Sequence, residues 1–393
     1  MASTSLRAAP EELLVELHVN YIQSLDDKRD QLYYHMTQHL RMNGIYWGLT
    51  ALSLMGRKDA LPRQDMLEWV MACCDTSTGG FAPHPHHEPH LHPTLSAIQI
   101  LATHEALHLL DQDKVVSYVL SLQSATTGAF AGDEWGERAS RFTYCAVSCL
   151  SLLDRLDALD IDLTVDSIQQ CRNFDGGFGM CPGAESHAAY VWTCLGTLAI
   201  LGRLDLVEKE TLCWWLCERQ LPCGGLNGRP EKLEDVCYSW WALASLAILG
   251  RQHWIDADKL KKFILSAQVR NLYHTQKAYF SPRRFWETQK LPCTGRNHVQ
   301  DPDQGGIADR PDDVPDVWHT VFGIAGQLNR SRVRSKKVDP LISFGFHSIP
   351  SRSILGLSLL SYPGLEPVDP IYCMPANVTA KLESTRRRGE AGK

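Results

Sequence analysis

Apolar residues recur along the chain in two alternating kinds of block. One kind is amphipathic, with apolar positions three and four apart, as in DKVVSYVLSLQ, ETLCWWLCERQ and KLKKFILSAQ. The other is apolar nearly all round: HPTLSAIQILATHEAL, RFTYCAVSCLSLL, HAAYVWTCLGTLAILG and DVCYSWWALASLAILG. A helix with one apolar stripe lies on a surface, and one that is apolar on every side is buried. Between the two kinds stands a Gly-Gly-apolar unit: GGF at Gly79–Phe81, GAF at Gly128–Phe130, GGF at Gly176–Phe178, GGL at Gly224–Leu226 and GGI at Gly305–Ile307. The first four are 49, 48 and 48 residues apart and the last gap is 81. This period predicts a repeated unit of outer helix, glycine break and inner helix. The paired glycines are expected to end helices in the left-handed conformation, where glycine carries no Cβ penalty.

Neither helix of one unit hides its apolar face alone, but five or six units stacked side by side do. The expected fold is all-α, an α–α barrel (toroid) of repeated helix pairs forming one domain over residues 1–380. A linear helical solenoid is the alternative that the period alone leaves open. In a closed barrel the inner helices start at one rim. Their unpaired N–H groups there suit an anionic ligand, so chemistry is expected just after the double glycines.

Composition narrows the class. The chain has 393 residues, 44% hydrophobic and 21% charged, as in a water-soluble globular protein. No run of about 18 apolar residues is present to span a membrane, and the N-terminus lacks the apolar centre of a signal peptide. A net charge of −6 argues against a nucleic-acid surface. Thirteen cysteines, an odd number and many within apolar helical stretches, indicate a cytoplasmic protein with buried thiols rather than disulfides. The charged tail 381–393, with its Arg386–Arg388 cluster, is expected to be disordered.

The unusual polar residues follow the fourth and fifth glycine pairs. In NGRPEKLEDVCYSWW, Arg229 and Lys232 precede Asp235 and Cys237, which open an inner helix; DDVPDVWHT supplies His319 at the equivalent place. Asp, Cys and His form a plausible three-ligand zinc set that leaves a fourth position for substrate. An Asp-x-Cys pair turns by about 200° on a regular helix, so it converges only at a frayed first turn. The bland reading is a packed Cys and His beside a solvated charged loop. His187 opens the third inner helix, and with Arg229 and Lys232 it would suit a diphosphate. Tyr190, Trp192, Trp214, Trp215, Tyr238, Trp240 and Trp241 either fill a core or line a funnel for a long unsaturated chain.

Residues 11–268 and 301–380 resemble the protein prenyltransferase β-subunit family, and within it the β subunits of Rab (type II) geranylgeranyltransferase. The resemblance rests on LRMNGIYWGLTALSLMG, PHLHPTLSAIQILATH, ERQLPCGGLNGRPEKLEDVCYSWW, GRQHWIDADKL, GGIADRPDD, HTVFGIAG and PVDPIYCMP. It implies one Zn2+ per β subunit, held by Asp235, Cys237 and His319 as the catalytic centre. It implies His187, Arg229, Lys232 and Tyr238 as the groups that hold the lipid diphosphate. The isoprenoid pocket then includes Arg141, Ala188, Ala189, Ser239, Trp240, Trp241 and Trp318, where the family usually has Phe in place of Trp318. Asn43 and Leu95 take floor positions that are bulky aromatics in farnesyl-transferring relatives, leaving room for a fourth isoprene unit. Asn43 departs from the smaller residue of the Rab type, and a buried carboxamide without a partner costs about 1–3 kcal/mol. The implied reaction transfers geranylgeranyl from geranylgeranyl diphosphate to C-terminal cysteines of Rab GTPases. The implied partners are a prenyltransferase α subunit, a Rab escort protein and the Rab. Alternatives are a type I or farnesyl CaaX β subunit, and a non-catalytic barrel.

Two segments break the pattern. Residues 269–300 account for the 81-residue gap, and residues 327–356 split GIAG from LSLL within what reads as one apolar helix. They read as surface loops or as retained introns translated in frame. The intron reading is favoured, because insertions belong at loop tips and not inside packed helices.

Overall fold

The computed structural model describes residues 12–26, 32–269, 305–327 and 364–391. In chain order its helices are α1 (Val15–Ser24), α2 (Leu32–Met36), α3 (Arg41–Leu54), α4 (Arg63–Ala72), α5 (Leu91–Thr103), α6 (Gln112–Ser121) and α7 (Ser140–Leu152). There follow α8 (Ile161–Gln169), α9 (Ala188–Ile200), α10 (Lys209–Cys217), α11 (Tyr238–Ile248), α12 (Ala257–Ser266), α13 (Val317–Ala325) and α14 (Ala376–Ala391). The two-residue strands β1 (Val368–Asp369) and β2 (Met374–Pro375) pair antiparallel just before α14.

The apolar blocks are the inner helices α3, α5, α7, α9, α11 and α13, each packed on the next. Helix α13 packs back on α3, so the array is closed and the linear solenoid is excluded. The amphipathic blocks α4, α6, α8, α10 and α12 form the outer layer. Asp111, Asp160 and Asp256 start α6, α8 and α12 by accepting the N–H of the third residue on. One rim is stitched by backbone bonds around the ring. The carbonyls of Pro83, Gly132, Met180, Gly228 and Asp309 accept the amides of Met42, Leu91, Ser140, Ala188 and Val236 at 2.7–3.0 Å. Each of those amides lies at or just before the start of an inner helix, so the N-termini share this rim.

The paired glycines do a different job from the one expected. They do not cap helices: α6 ends at Ser121, and Gly128 stands in a hairpin closed by the Gln123–Phe130 bridge. With φ at +71°, Gly128 lets the next outer helix approach so closely that a Cβ would lie 2.2 Å from the Leu163 carbonyl oxygen. The same contact closes the ring, because a Cβ on Gly305 would lie 2.1 Å from the carbonyl oxygen of Leu17 in α1. Helix α1 is thus the sixth outer helix, supplied from the other end of the chain. Its fully buried His18 accepts the Gly306 N–H through Nδ1 at 3.0 Å, and its Nε2 meets the Gln268 side-chain oxygen at 2.9 Å.

The end of the barrel away from that rim is filled by the chain's own C-terminal segment. Carbonyls of Pro370, Ile371, Tyr372 and Cys373 accept Trp192 Nε1–H, Tyr144 O–H, Gln99 Nε2–H and Tyr46 O–H at 2.6–2.9 Å. Those donors come from four successive inner helices, so this irregular backbone has its acceptors satisfied inside the lumen. Glu366 N–H bonds the Leu54 carbonyl at the end of α3, which places the segment at the helix C-termini.

Beyond it the expectation of a disordered tail is corrected, since α14 runs to Ala391. Ala, Lys, Leu, Glu and Arg are good helix formers. Lys381 pairs with Glu105 at 2.5 Å, and Arg386 bonds Asp154 and the Ser151 carbonyl. All twelve cysteines among the described residues are free thiols. No described helix is long and apolar enough to cross a membrane.

Both irregular segments, 269–300 and 327–356, lie outside the described residues apart from Val269 and Gln327. The hairpin bridges still measure the first one. Four span 6 or 7 residues (Cys74–Phe81, Gln123–Phe130, Arg172–Phe178, Gln220–Leu226), whereas Gln268–Ile307 spans 39 with the same pairing. The fifth bridge thus keeps the pairing of the other four although about 32 more residues separate its two ends.

Candidate active site

The repeat register places one position of each unit at the rim. Eleven residues after the first glycine stand His90, His187, Asp235 and Asp316. Each turns a side-chain acceptor onto a free amide at the start of its inner helix. His90 Nδ1 takes His92 N–H at 3.1 Å and His187 Nδ1 takes Ala189 N–H at 3.2 Å. Asp235 Oδ1 takes Cys237 N–H and Asp316 Oδ1 takes His319 N–H, both at 2.7 Å.

Asp235 and Cys237 precede α11 instead of lying within it, which is how a pair two residues apart converges. His319 is not at the place equivalent to Cys237, as the sequence suggests. It stands fourteen residues after its first glycine against thirteen for Cys237, as the third residue of α13. Because α11 and α13 are neighbours, donor atoms of Asp235, Cys237 and His319 lie within 4.8 Å of one another. Among the described residues no other group of three or more His, Cys, Asp or Glu does so. His319 Nε2 is 3.2 Å from Asp235 Oδ1, and its Nδ1 is 2.6 Å from Asp316 Oδ2.

Burial pushes the Cys237 thiol up to about 12, against a hydrogen bond from His319 that lowers it. Burial by itself would lower His319, but hydrogen bonds to Asp235 and Asp316 outweigh it and hold this group at about 12. Burial would raise Asp235; its hydrogen bond and attraction to His319 keep it below the usual carboxylate range. A protonated imidazole thus bridges two carboxylates beside a neutral thiol. A thiol, a carboxylate and an imidazole fit a zinc ion in place of those protons. Asp316 would orient His319 from behind as a carboxylate–histidine pair.

On the other side of α11 lie the expected diphosphate groups. Tyr238, the first residue of α11, has its hydroxyl 3.3 Å from His187 Nε2. It packs over Gly228, where a Cβ would sit 2.4 Å from the ring. Burial, followed by the nearby Arg229, pushes the His187 pKa down, so its neutral ring presents an Nε2–H to the rim. Arg229 pairs with Glu185 on the same rim. Lys232 is exposed and makes no ion pair among the described residues.

An aromatic belt lines five of the six inner helices. It runs Trp47–Trp318 (4.7 Å), Trp318–Phe322 (4.6 Å), Phe322–Trp241 (4.6 Å), Trp241–Trp192 (4.9 Å) and Trp192–Tyr144 (4.7 Å) between ring centres. Trp241 and Trp318 belong to it. Trp240 is fully buried with no partner among the described residues for its Nε1–H, and Ser239 packs against Gly326 at the end of α13. Ala188 and Ala189 form the first turn of α9, and the Ala188 amide is part of the rim stitching. Arg141 at the start of α7 pairs with Glu137 at 2.6 Å and lies over Phe142.

Asn43 and Leu95 are buried near the starts of α3 and α5, across the ring from Tyr238. Asn43 lines a cleft between the start of α3 and the loops into α5 and α7. Asn43 has the partner a buried carboxamide needs, with its Nδ2–H donating to Ser96 Oγ at 3.2 Å. Sequence reasoning missed Trp47, Phe322 and Asp316. The eleven-residue register that holds Asp235 was the signal for Asp316.

Comparison with known proteins agrees with this architecture. Residues 13–274 and 296–374 match the prenyltransferase alpha-alpha toroid domain. The chain is 44% identical over 376 residues to the geranylgeranyl transferase type-2 subunit beta of Saccharomyces cerevisiae, covering 94% of this chain and 97% of that one. It is 42% identical to the type-2 subunit beta 1 of Arabidopsis thaliana, over 98% of this chain and all of the other. The solved Candida albicans protein geranylgeranyltransferase-I complexed with GGPP superposes with a TM-score of 0.69. At 18% identity over 95% of this chain and 99% of the other, that likeness supports the fold. The chain therefore belongs to the geranylgeranyl transferase type-2 β-subunit family of α–α toroid prenyltransferases.

Proposed function

We propose that this protein is the catalytic β subunit that transfers geranylgeranyl from geranylgeranyl diphosphate to C-terminal cysteine thiols of Rab GTPases. It would act in the cytoplasm with a prenyltransferase α subunit and a Rab escort protein. The observation that carries the reading is the convergence of Asp235, Cys237 and His319 on one side of α11 with His187 and Tyr238 on the other. A zinc ion held by the three donors would lower the pKa of an incoming thiol, ordinarily about 8.5, so that it is a thiolate at neutral pH.

The chain's own residues supply the rest. His187 Nε2–H, the Tyr238 hydroxyl, Arg229 and Lys232 face the place where negative charge grows on the departing diphosphate. Burial raises the Tyr238 pKa, so the phenol keeps its proton and remains a donor. The aromatic belt excludes water from the lipid, and Asp316 holds His319 in one orientation.

The test is incorporation of labelled geranylgeranyl and farnesyl into a Rab protein by the assembled enzyme. Geranylgeranyl incorporation that is lost in Cys237→Ser is expected. Preference for farnesyl, or transfer that survives this substitution, refutes the reading.

A further inference from the structure

We infer that a cleft between the first and second units holds a cationic peptide segment of the acceptor protein, about five residues before its reactive cysteine. The inference rests on the reading above, that a protein thiol is the acceptor. The cleft encloses about 540 Å³ between the start of α3, the loop into α5 and the loop into α7. Glu88, Asp133 and Glu134 line it, and among the described residues no lysine or arginine does. Burial pushes the pKa of the two histidines at its back, His90 and His92, down, the latter to about 4, so neither offsets the carboxylates at neutral pH. The nearby Arg141 is engaged by Glu137.

Trp135 stands at the mouth with 77% of its surface exposed, and its Nε1–H donates to Glu88 Oε2 at 3.0 Å. That bond ties the two loops across the cleft and leaves the indole face free. An indole face beside carboxylates suits an arginine or lysine side chain through cation–π contact and ion pairing together. A bare metal ion fits less well. Although His86 and His87 also line the cleft, no three of its donor atoms converge as those at Cys237 do.

The order of helices around the ring gives the cleft its use. The diphosphate groups lie between α9 and α11, the thiol-binding donors between α11 and α13, and the cleft beyond α3, the next helix. A peptide arriving over α3 and α5 reaches Cys237 without crossing the diphosphate. Two steps between helices about 10 Å apart make roughly 17 Å across a six-membered ring, or about five extended residues.

The test uses the assembled enzyme and two peptides ending in the acceptor cysteine, with Arg or Gln at the fifth and sixth residues before it. The wild type is expected to show a KM about tenfold lower for the Arg peptide, falling towards parity in high salt. In Glu88→Gln/Glu134→Gln the two KM values converge, while Trp135→Phe retains discrimination. Equal KM values in the wild type, or discrimination that survives in the double variant, overturn the inference. So does a second equivalent of bound Zn2+ that disappears in His86→Ala/His87→Ala. If neither peptide is modified without the escort protein, the proposed function stands and the cleft is read from binding alone. Quenching of indole fluorescence by the Arg peptide, compared between wild type and Trp135→Phe, then decides the cleft on its own: quenching confined to the wild type supports it, and equal signals overturn it.

Discussion

Loading the site with zinc should release two protons. In the metal-free arrangement Cys237 is a thiol and His319 an imidazolium, each with a pKa at about 12, and Asp235 is already ionised. All three must be deprotonated to act as ligands. Both raised values lie above the working range, so each group holds its proton throughout pH 6–8 and competes with the metal across the whole window. The apparent affinity should therefore rise about a hundredfold per pH unit, or about 2.7 kcal/mol per unit at 1.36 kcal/mol for each proton. Zinc titration of chelator-stripped protein by calorimetry, in buffers of different ionisation enthalpy, counts the protons directly. A count of one would mean that Cys237 is already a thiolate paired with His319, and the burial argument would be wrong. A count of zero would mean that both groups are already deprotonated in the metal-free site, and both raised values would be wrong.

Three further outcomes are expected. His18 is held neutral by burial, with its pKa lowered to about 4, so the unfolded chain takes up a proton first as pH falls. Stability is lost between about pH 6.5 and 4, by up to about 3 kcal/mol; a pH-melting series in which His18→Asn shows the same slope would contradict this. Gly305→Ala forces a Cβ against the α1 backbone at positive φ and should cost at least about 3 kcal/mol, read as a fall in Tm; a change below 1 kcal/mol would remove the close approach. Asn43→Trp with Leu95→Tyr should favour farnesyl over geranylgeranyl diphosphate by about 5–150-fold, since overpacking by about 1–3 kcal/mol penalises only the longer chain; an unaltered ratio in competition, at unchanged Tm, would remove these residues from the lipid wall.

The repeat was legible because hydrophobic period and glycine spacing are local properties of the sequence. Closure of the barrel and the convergence of Asp235, Cys237 and His319 were instead implied by the family resemblance, since the period alone left a linear solenoid open. Long-range pairings were not legible. PVDPIYCMP is an extended string with no period, and nothing local says that its carbonyls meet Tyr46, Gln99, Tyr144 and Trp192 up to 327 residues away. The paired glycines were assigned to the wrong turn, because a left-handed residue serves a helix cap and a close backbone approach equally well. The tail was misjudged because charge density suggests solvation, while Lys381 and Arg386 are paired on the barrel wall.

The closure of the ring by α1 also sets a timetable for synthesis. His18 must wait for Gly306, 288 residues downstream, before its face is covered. At about 5–20 residues per second, that is roughly 15 to 60 s on the ribosome with Val19, Tyr21 and Ile22 exposed. Each later unit can dock on its predecessor as it emerges, but the first helix has no neighbour until nearly the whole chain is made. A nascent chain stalled before residue 305 would present that apolar face to chaperones, and release past it would withdraw the face in a single step.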